Sequence, residues 1–232
     1  PISLQNETLN PPPIPTSIDA LNICLNGGIP RGSNILLLGP TGSSKSFFAR
    51  QFITEGLKKG ERSLFVALDD NPKKIRTEMD TLLGAPIQTM VNANLLRLVD
   101  AYSWTTFAPS EEKFAVSGML DLNQLSGVIS DAGYELGQSV QHKAGGRRVI
   151  DSISSLLIHF DLSSVQRFLS QVARTAISFG DVTTFFIMEQ GTVDDQVLNN
   201  IKYIMDGVLE FDRKDNQRHV RVAFMKWSKY SS

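Results

Sequence analysis

The sequence predicts an α/β fold, with a mainly parallel central sheet flanked by helices and a C-terminal antiparallel hairpin. Three observations carry that expectation. Short apolar runs alternate with amphipathic helical patterns along most of the 232 residues. One apolar run, residues 34–38, leads directly into a glycine-rich turn and a helix. Beyond residue 206 the alternation gives way to two strand patterns around a polar turn.

Along the chain, Asn10-Pro11-Pro12-Pro13-Ile14-Pro15 excludes helix and central strand, because prolines remove backbone donors and hold extended geometry. Residues 1–15 therefore read as an extended arm and 16–232 as one domain. A short helix is expected over 17–25, ended by Asn26-Gly27-Gly28, and Pro30-Arg31-Gly32 turns the chain into the strand at 34–38. The next helix starts at Lys45, carries Ala49, Phe52, Ile53, Gly56 and Leu57 on one face, and stops at Gly60. Strand 64–68, helix 72–83 and strand 95–99 follow. The irregular stretch 100–119, with Trp104 and Phe107, reads as a functional loop. Leu122, Leu125, Ile129, Ala132 and Leu136 mark a helix, and Ala144-Gly145-Gly146 leads to strand 147–150. Helix 165–176, strand 184–188 and helix 193–205 complete the alternation. A hairpin then turns around 212–217, with Val220, Val222 and Phe224 alternating on one face.

The turn after the first strand is Gly39-Pro40-Thr41-Gly42-Ser43-Ser44-Lys45-Ser46, followed by Phe47. Its pattern is that of a phosphate-binding loop. Successive backbone N–H groups form an anion-binding concavity, and the start of the following helix adds partial positive charge. Lys45 is placed to reach the β- and γ-phosphates of a nucleoside triphosphate, and the Ser46 hydroxyl to ligate Mg²⁺. Glycine is normally required just before the lysine, where this chain has Ser44, which implies altered or lower affinity.

Ligands of parallel sheets bind at the carboxyl ends of the strands, which puts this loop, Asp69-Asp70 and Asp151 along one rim. Asp151, at the end of an apolar strand, matches the carboxylate that fixes Mg²⁺ together with Ser46; its alternative is a helix or turn cap. Asp69 and Asp70 suit a base that orients the attacking water, or equally a cap for the helix after Pro72. Lys226 is either a cation acting on phosphate across a subunit boundary or a solvated lysine.

Composition bounds the rest. A formal net charge of −1, with basic residues spread along the chain, argues against nucleic acid as a partner. Trp104 and Trp227 lack the basic interleaving of a base-stacking surface and are expected in packing or subunit contacts. No apolar run approaches the ~20 residues of a membrane span, and the amino end lacks a signal pattern, so a cytoplasmic protein without membrane contact is expected. Cys24, the only cysteine, excludes an internal disulfide and reads as a small buried hydrophobe. His142, His159 and His219 lack ligand spacing for zinc.

Taken together, these residues resemble the KaiC-like branch of the RecA superfamily, in its single-domain archaeal form, over nearly all of 15–229. The resemblance rests on Thr16-Ser17-Ile18-Asp19-Ala20-Leu21, Gly27-Gly28-Ile29-Pro30-Arg31-Gly32, Glu55-Gly56 with Lys59-Gly60-Glu61, Val99-Asp100-Ala101-Tyr102-Ser103, Val149-Ile150-Asp151-Ser152-Ile153-Ser154 and Asp206-Gly207-Val208. It implies a RecA-like P-loop NTPase fold, ATP and Mg²⁺ as cofactors, and ring-shaped homo-oligomers, hexamers among them, with nucleotide at subunit interfaces. It puts Asp69 and Asp70 at the positions of a glutamate pair whose first member is the base, and Lys226 at that of a lysine acting on a neighbour's nucleotide. Some members phosphorylate their own serines or threonines, and no such site maps onto this chain. Aspartate for glutamate, Ser44 for glycine, and Ser228 where the family has arginine, with Lys229 next, all imply slow hydrolysis. The leading expectation is therefore a slow Mg²⁺-dependent ATPase whose nucleotide state controls oligomerisation or partner binding. The alternatives are a recombinase-paralogue-like DNA repair accessory ATPase and a nonhydrolysing ATP-binding scaffold of the kind found in the archaeal motility motor.

Overall fold

The structure, a computed structural model, describes residues 11–226; residues 1–10 of the arm, Trp227, Ser228 and Lys229 lie outside the described residues. Eight strands form one sheet: β1 (Asn34–Gly39), β2 (Ser63–Ala67), β3 (Leu96–Asp100), β4 (Phe114–Ala115), β5 (Arg147–Asp151), β6 (Thr183–Glu189), β7 (Gly207–Lys214) and β8 (Gln217–Met225). Their spatial order is β4-β3-β2-β5-β6-β1-β7-β8, and every pairing is parallel except the β7–β8 hairpin. The expected α/β fold with its C-terminal antiparallel hairpin is the observed one.

The central strands read as continuous apolar runs because both faces of the sheet are covered. One face packs Ile35, Leu37, Phe65 and Phe185 against α1 (Asp19–Cys24), α2 (Lys45–Lys58) and α3 (Pro72–Leu83). The other packs Leu36, Leu38, Val66 and Phe186 against α5 (Leu122–Leu136), α6 (Ile153–His159), α7 (Leu162–Ser178) and α8 (Asp195–Ile204). Helix α2 is docked by aromatic contact: Phe52 stacks on Phe185 with ring centroids 3.9 Å apart. It is also held by Arg147, which donates to the Phe52 carbonyl at 2.7 Å and pairs with Glu61 at 2.8 Å. These contacts fix the middle of α2 against β5 and β6, and Phe48, nearer its amino end, packs on Phe185 and Phe211.

The structure adds elements that periodicity did not show. Helices α4 (Gln88–Asn92) and α6 are too short for a helical repeat to register. The stretch 100–119 is an organised turn rather than an open loop. It contains a 3-10 segment (Ser103–Thr106) and the edge strand β4, gathered around Asp100, whose carboxylate accepts from Tyr102 N, Ser103 N and the Ser103 and Ser110 hydroxyls. Trp104 packs there, its indole N–H donating to the Ala101 carbonyl at 2.8 Å and its ring meeting His159 edge-on. Three strands also run one residue further than their apolar stretches, so that Asp100, Asp151 and Glu189 are their last paired residues.

The hairpin corrects one expectation. Val220 and Val222 face the α2 side, but Phe224 packs on the opposite face, because a bulge between Val208 and Leu209 pairings places Ala223 out of register. A one-residue shift in a strand exchanges the faces of everything beyond it. At the other end, Ile14 is buried and pairs with Ile29, so the last part of the proline-rich segment is anchored in the core. Cys24 is partly rather than fully buried, packed against the α2-side core. Among the described residues no helix is long and apolar enough to cross a membrane.

Candidate functional site

A cavity of about 720 Å³ opens at the carboxyl ends of the strands. It is walled by the loop between β1 and α2, by Asp69 and Asp70 after β2, by Asp151 at the end of β5 and by Glu189 at the end of β6. Thr41, Gly42, Ser44, Lys45, Ser46 and Phe47 line it directly, whereas Gly39, Pro40 and Ser43 form the back of the loop. A methyl group added to Gly39 would stand 2.6 Å from the Phe211 carbonyl oxygen and 2.7 Å from the Ser43 hydroxyl, so only glycine allows this close passage of the loop against β7. The back of the loop is closed by Ser43 N donating to the Pro40 carbonyl at 3.2 Å and Gln190 N to the Gly39 carbonyl at 2.9 Å.

Helix α2 begins without a side-chain cap and without an acidic residue in its first turn. The residue in the cap position, Ser44, has φ 77° and ψ 10°, the left-handed region that glycine normally fills in such loops. Its own hydroxyl does not cap the helix. The leading N–H groups of α2 are thus left for an external anion, and the helix dipole adds to the attraction. Lys45 is buried in the loop, donating to the Pro40 carbonyl at 3.2 Å and pairing with Glu189 at 2.6 Å. The other Glu189 oxygen accepts from the Thr41 hydroxyl at 3.0 Å. One carboxylate on β6 therefore braces both the lysine and the tip of the loop.

The acidic wall is differentiated by its neighbours. Asp151 is 3 % exposed, and burial, reinforced by the charges of Asp69 and Asp70, pushes its pKa up to about 7, with Arg50 at 3.9 Å and Lys45 opposing. Asp69 faces the cavity but is crowded by protein on its other sides. Loss of solvation raises its pKa, the Ser152 hydroxyl donating to it works the other way, and Glu189 and Asp70 raise it further. Asp70 is tied to Arg50 at 2.8 Å and lies 3.6 Å from Lys74. Arg50, itself buried, also pairs with Glu78.

The alternative capping roles are taken by other residues. Asn71, not Asp69 or Asp70, caps α3 by accepting from Lys73 N at 2.9 Å, and Ser152 holds the cap position of α6 in place of Asp151. Lys226 is exposed on the turn after β8, its N–H donating to the Asp206 carbonyl at 2.7 Å, and it does not line the cavity. The structure also brings in residues that sequence reasoning missed: Glu189, Arg50, Glu78 and Arg218. Glu189 was within reach, since it follows the strand at 184–188 on the same rim. Arg50 and Glu78 are charged positions on helices, and nothing in their spacing marks them as convergent.

A parallel sheet with this strand order, a phosphate loop between β1 and α2 and an acidic rim opposite define a P-loop nucleotide-binding protein of the RecA type. The comparisons narrow the class: the family model described as "ATPase: KaiC" matches residues 14–232, and the chain belongs to that family. A UPF0273 protein of Methanopyrus kandleri is 28 % identical over 218 residues, spanning 92 % of this chain and 82 % of its own. The circadian clock protein KaiC3 of Synechocystis is 30 % identical over 180 residues, 78 % of this chain and 33 % of its own. The crystal structure of a KaiC-like protein of Pyrococcus horikoshii matches in fold, with a TM-score of 0.68 at 24 % identity, over 94 % of this chain and 91 % of that one.

Proposed function

We propose that this protein is a slow Mg²⁺-dependent ATPase whose nucleotide state controls its association with further copies of itself, as a ring, or with a protein partner. The observation that carries the reading is the convergence, in one cavity, of the uncapped start of α2, Lys45, Ser46, Asp69 and Asp151. The hydroxyl and carboxylate oxygens of Ser46 and Asp151 suit a hard divalent cation, which when bound shields phosphate charge and favours the ionised carboxylate. Loop N–H groups and Lys45 bind and orient the β- and γ-phosphates. Asp69 orients the attacking water and takes its proton, with Asp70 held back from that role by its pairing to Arg50.

Slow turnover follows from what these groups already hold. The Ser152 hydroxyl engages Asp69. Lys45 must leave Glu189 before it can meet phosphate. Lys226, exposed beyond the cavity, is available to a neighbouring subunit's nucleotide.

Phosphate release measured beside ATP-dependent sedimentation tests the reading. Lys45→Ala is expected to abolish ATP binding and turnover together. Asp69→Asn is expected to keep ATP binding and lower kcat by about 10²-fold or more; an unchanged rate removes the assignment of the base. Lys226→Ala is expected to slow turnover only at concentrations where the protein assembles. A second reading, the nonhydrolysing scaffold, is favoured by the engagement of both Asp69 and Asp70. It predicts ATP-dependent assembly with no phosphate released, and phosphate transferred to the chain itself would appear in the same assay as labelled protein.

A further inference from the structure

Strand β5 carries two consecutive arginines, and the sheet sends them to opposite faces. Arg147 meets Glu61, a full counter-charge. Arg148 does not. It is 2 % exposed and makes no ion pair among the described residues. Its guanidinium donates to the Thr184 hydroxyl at 2.9 Å, the Val172 carbonyl at 2.7 Å and, at a long 3.4 Å, the Thr175 hydroxyl, all of them neutral. A guanidinium has five N–H groups, so donors remain. Burial lowers its pKa only to about 10, which leaves it charged at neutral pH. A buried charge without a partner is costly, and the usual remedy is a counter-ion.

The surroundings supply room for one. Arg148 forms the floor of a crevice of about 90 Å³ between α5 and α7, rimmed by Ser126, Ser130, Gln171 and Thr175, with no acidic or other basic residue in its lining. That is about three times the ~30 Å³ a water molecule occupies in the liquid, the size of a small oxyanion and far below that of a nucleotide. Gln138, also 2 % exposed, lines the same crevice. Its amide nitrogen reaches the Arg62 and Arg147 carbonyls, while its side-chain oxygen, buried, has no hydrogen-bond partner. The crevice thus offers an unneutralised cation with spare donors in a lining that carries no counter-charge.

We propose that this crevice binds a small oxyanion, inorganic phosphate, with Arg148 as its counter-charge and the rim hydroxyls of Ser126 and Ser130 beside it. Sulfate, equal in size, fits the same counter-charge. The site lies on the face of the sheet opposite α2 and requires nothing of the nucleotide cavity.

The test is calorimetric titration with inorganic phosphate, run on the full chain with excess Mg²⁺ and a nonhydrolysable ATP analogue that fills the β- and γ-phosphate positions of the loop, and again on Lys45→Ala under the same conditions. One phosphate site is expected in both, and sulfate is expected to compete for it. Gln171→Glu puts a carboxylate on the exposed rim without touching the core. It is expected to raise the melting temperature in phosphate-free buffer and weaken phosphate by about tenfold. Absence of a phosphate site under both conditions, or phosphate affinity unchanged in Gln171→Glu, overturns the proposal. Arg148→Met, if it folds, is expected to lose the site altogether.

Discussion

Ser44 is held at φ 77° by the closure of the loop, and a side chain in that region costs roughly 1–2 kcal/mol that glycine avoids. Glycine's greater freedom in the unfolded chain recovers part of this difference. Ser44→Gly is therefore expected to stabilise the protein by about 1 kcal/mol in urea denaturation, and to tighten ATP binding by relaxing the loop. Asp151 gives the pH dependence. Its pKa rises on folding from an ordinary 3.8 to about 7, so between those values the folded protein holds a proton there that the unfolded chain has released. Without ligand, stability then falls as pH rises from about 4 to about 7 and levels off above. Asp151→Asn is expected to melt higher than the parent at pH 8, with the gain vanishing near pH 4, while Mg²⁺-dependent ATP binding is lost. At this scale the loop, Asp69, Asp70 and Asp151 were legible because they adjoin apolar strands. Glu189 ends an apolar strand in the same way and was equally legible, whereas Arg50 was not, because its ion pairs with distant segments leave no periodic trace. Nor could the sequence show that Asn71 leaves Asp69 and Asp70 free of capping.

Among the elements, α2 shows how competing terms are decided. Gly56 lies in its interior, where alanine would ordinarily gain about 1 kcal/mol of helix propensity. A methyl group there would stand 2.6 Å from the Arg147 Cδ, and that side chain cannot swing aside, being held by Glu61, the Phe52 carbonyl and the Phe52 ring. Overpacking costs typically 1–3 kcal/mol, and loosening the Arg147–Glu61 pair adds to it. Gly56→Ala is expected to destabilise by roughly 1–2 kcal/mol, read as a lower urea midpoint. The long helices and buried strands were readable because each presents an apolar face to the sheet. The short α4 and α6, held by their neighbours rather than by a periodic face, were not. The bulge in β8 was invisible too, since Val220, Val222 and Phe224 keep a perfect alternation in sequence while the chain switches faces between them.

For the whole molecule, the sheet sorts its chemistry to one edge: two apolar layers support the strands, and the charges gather where the strands end. A ligand that binds only the folded state stabilises by mass action, about 2.7 kcal/mol at a hundredfold excess over Kd. ATP with Mg²⁺ is accordingly expected to raise the melting temperature of the parent by several degrees and leave Lys45→Ala unmoved, as followed by calorimetry. Because β6 runs between β1 and β5, Glu189 stands at the midpoint of the rim, holding Lys45 and Thr41 at once. An arriving triphosphate must evict this internal tenant, and the freed carboxylate then reports that the pocket is full. An isotope-edited infrared band for Glu189 should shift on ATP addition, turning a resting contact into an occupancy gauge.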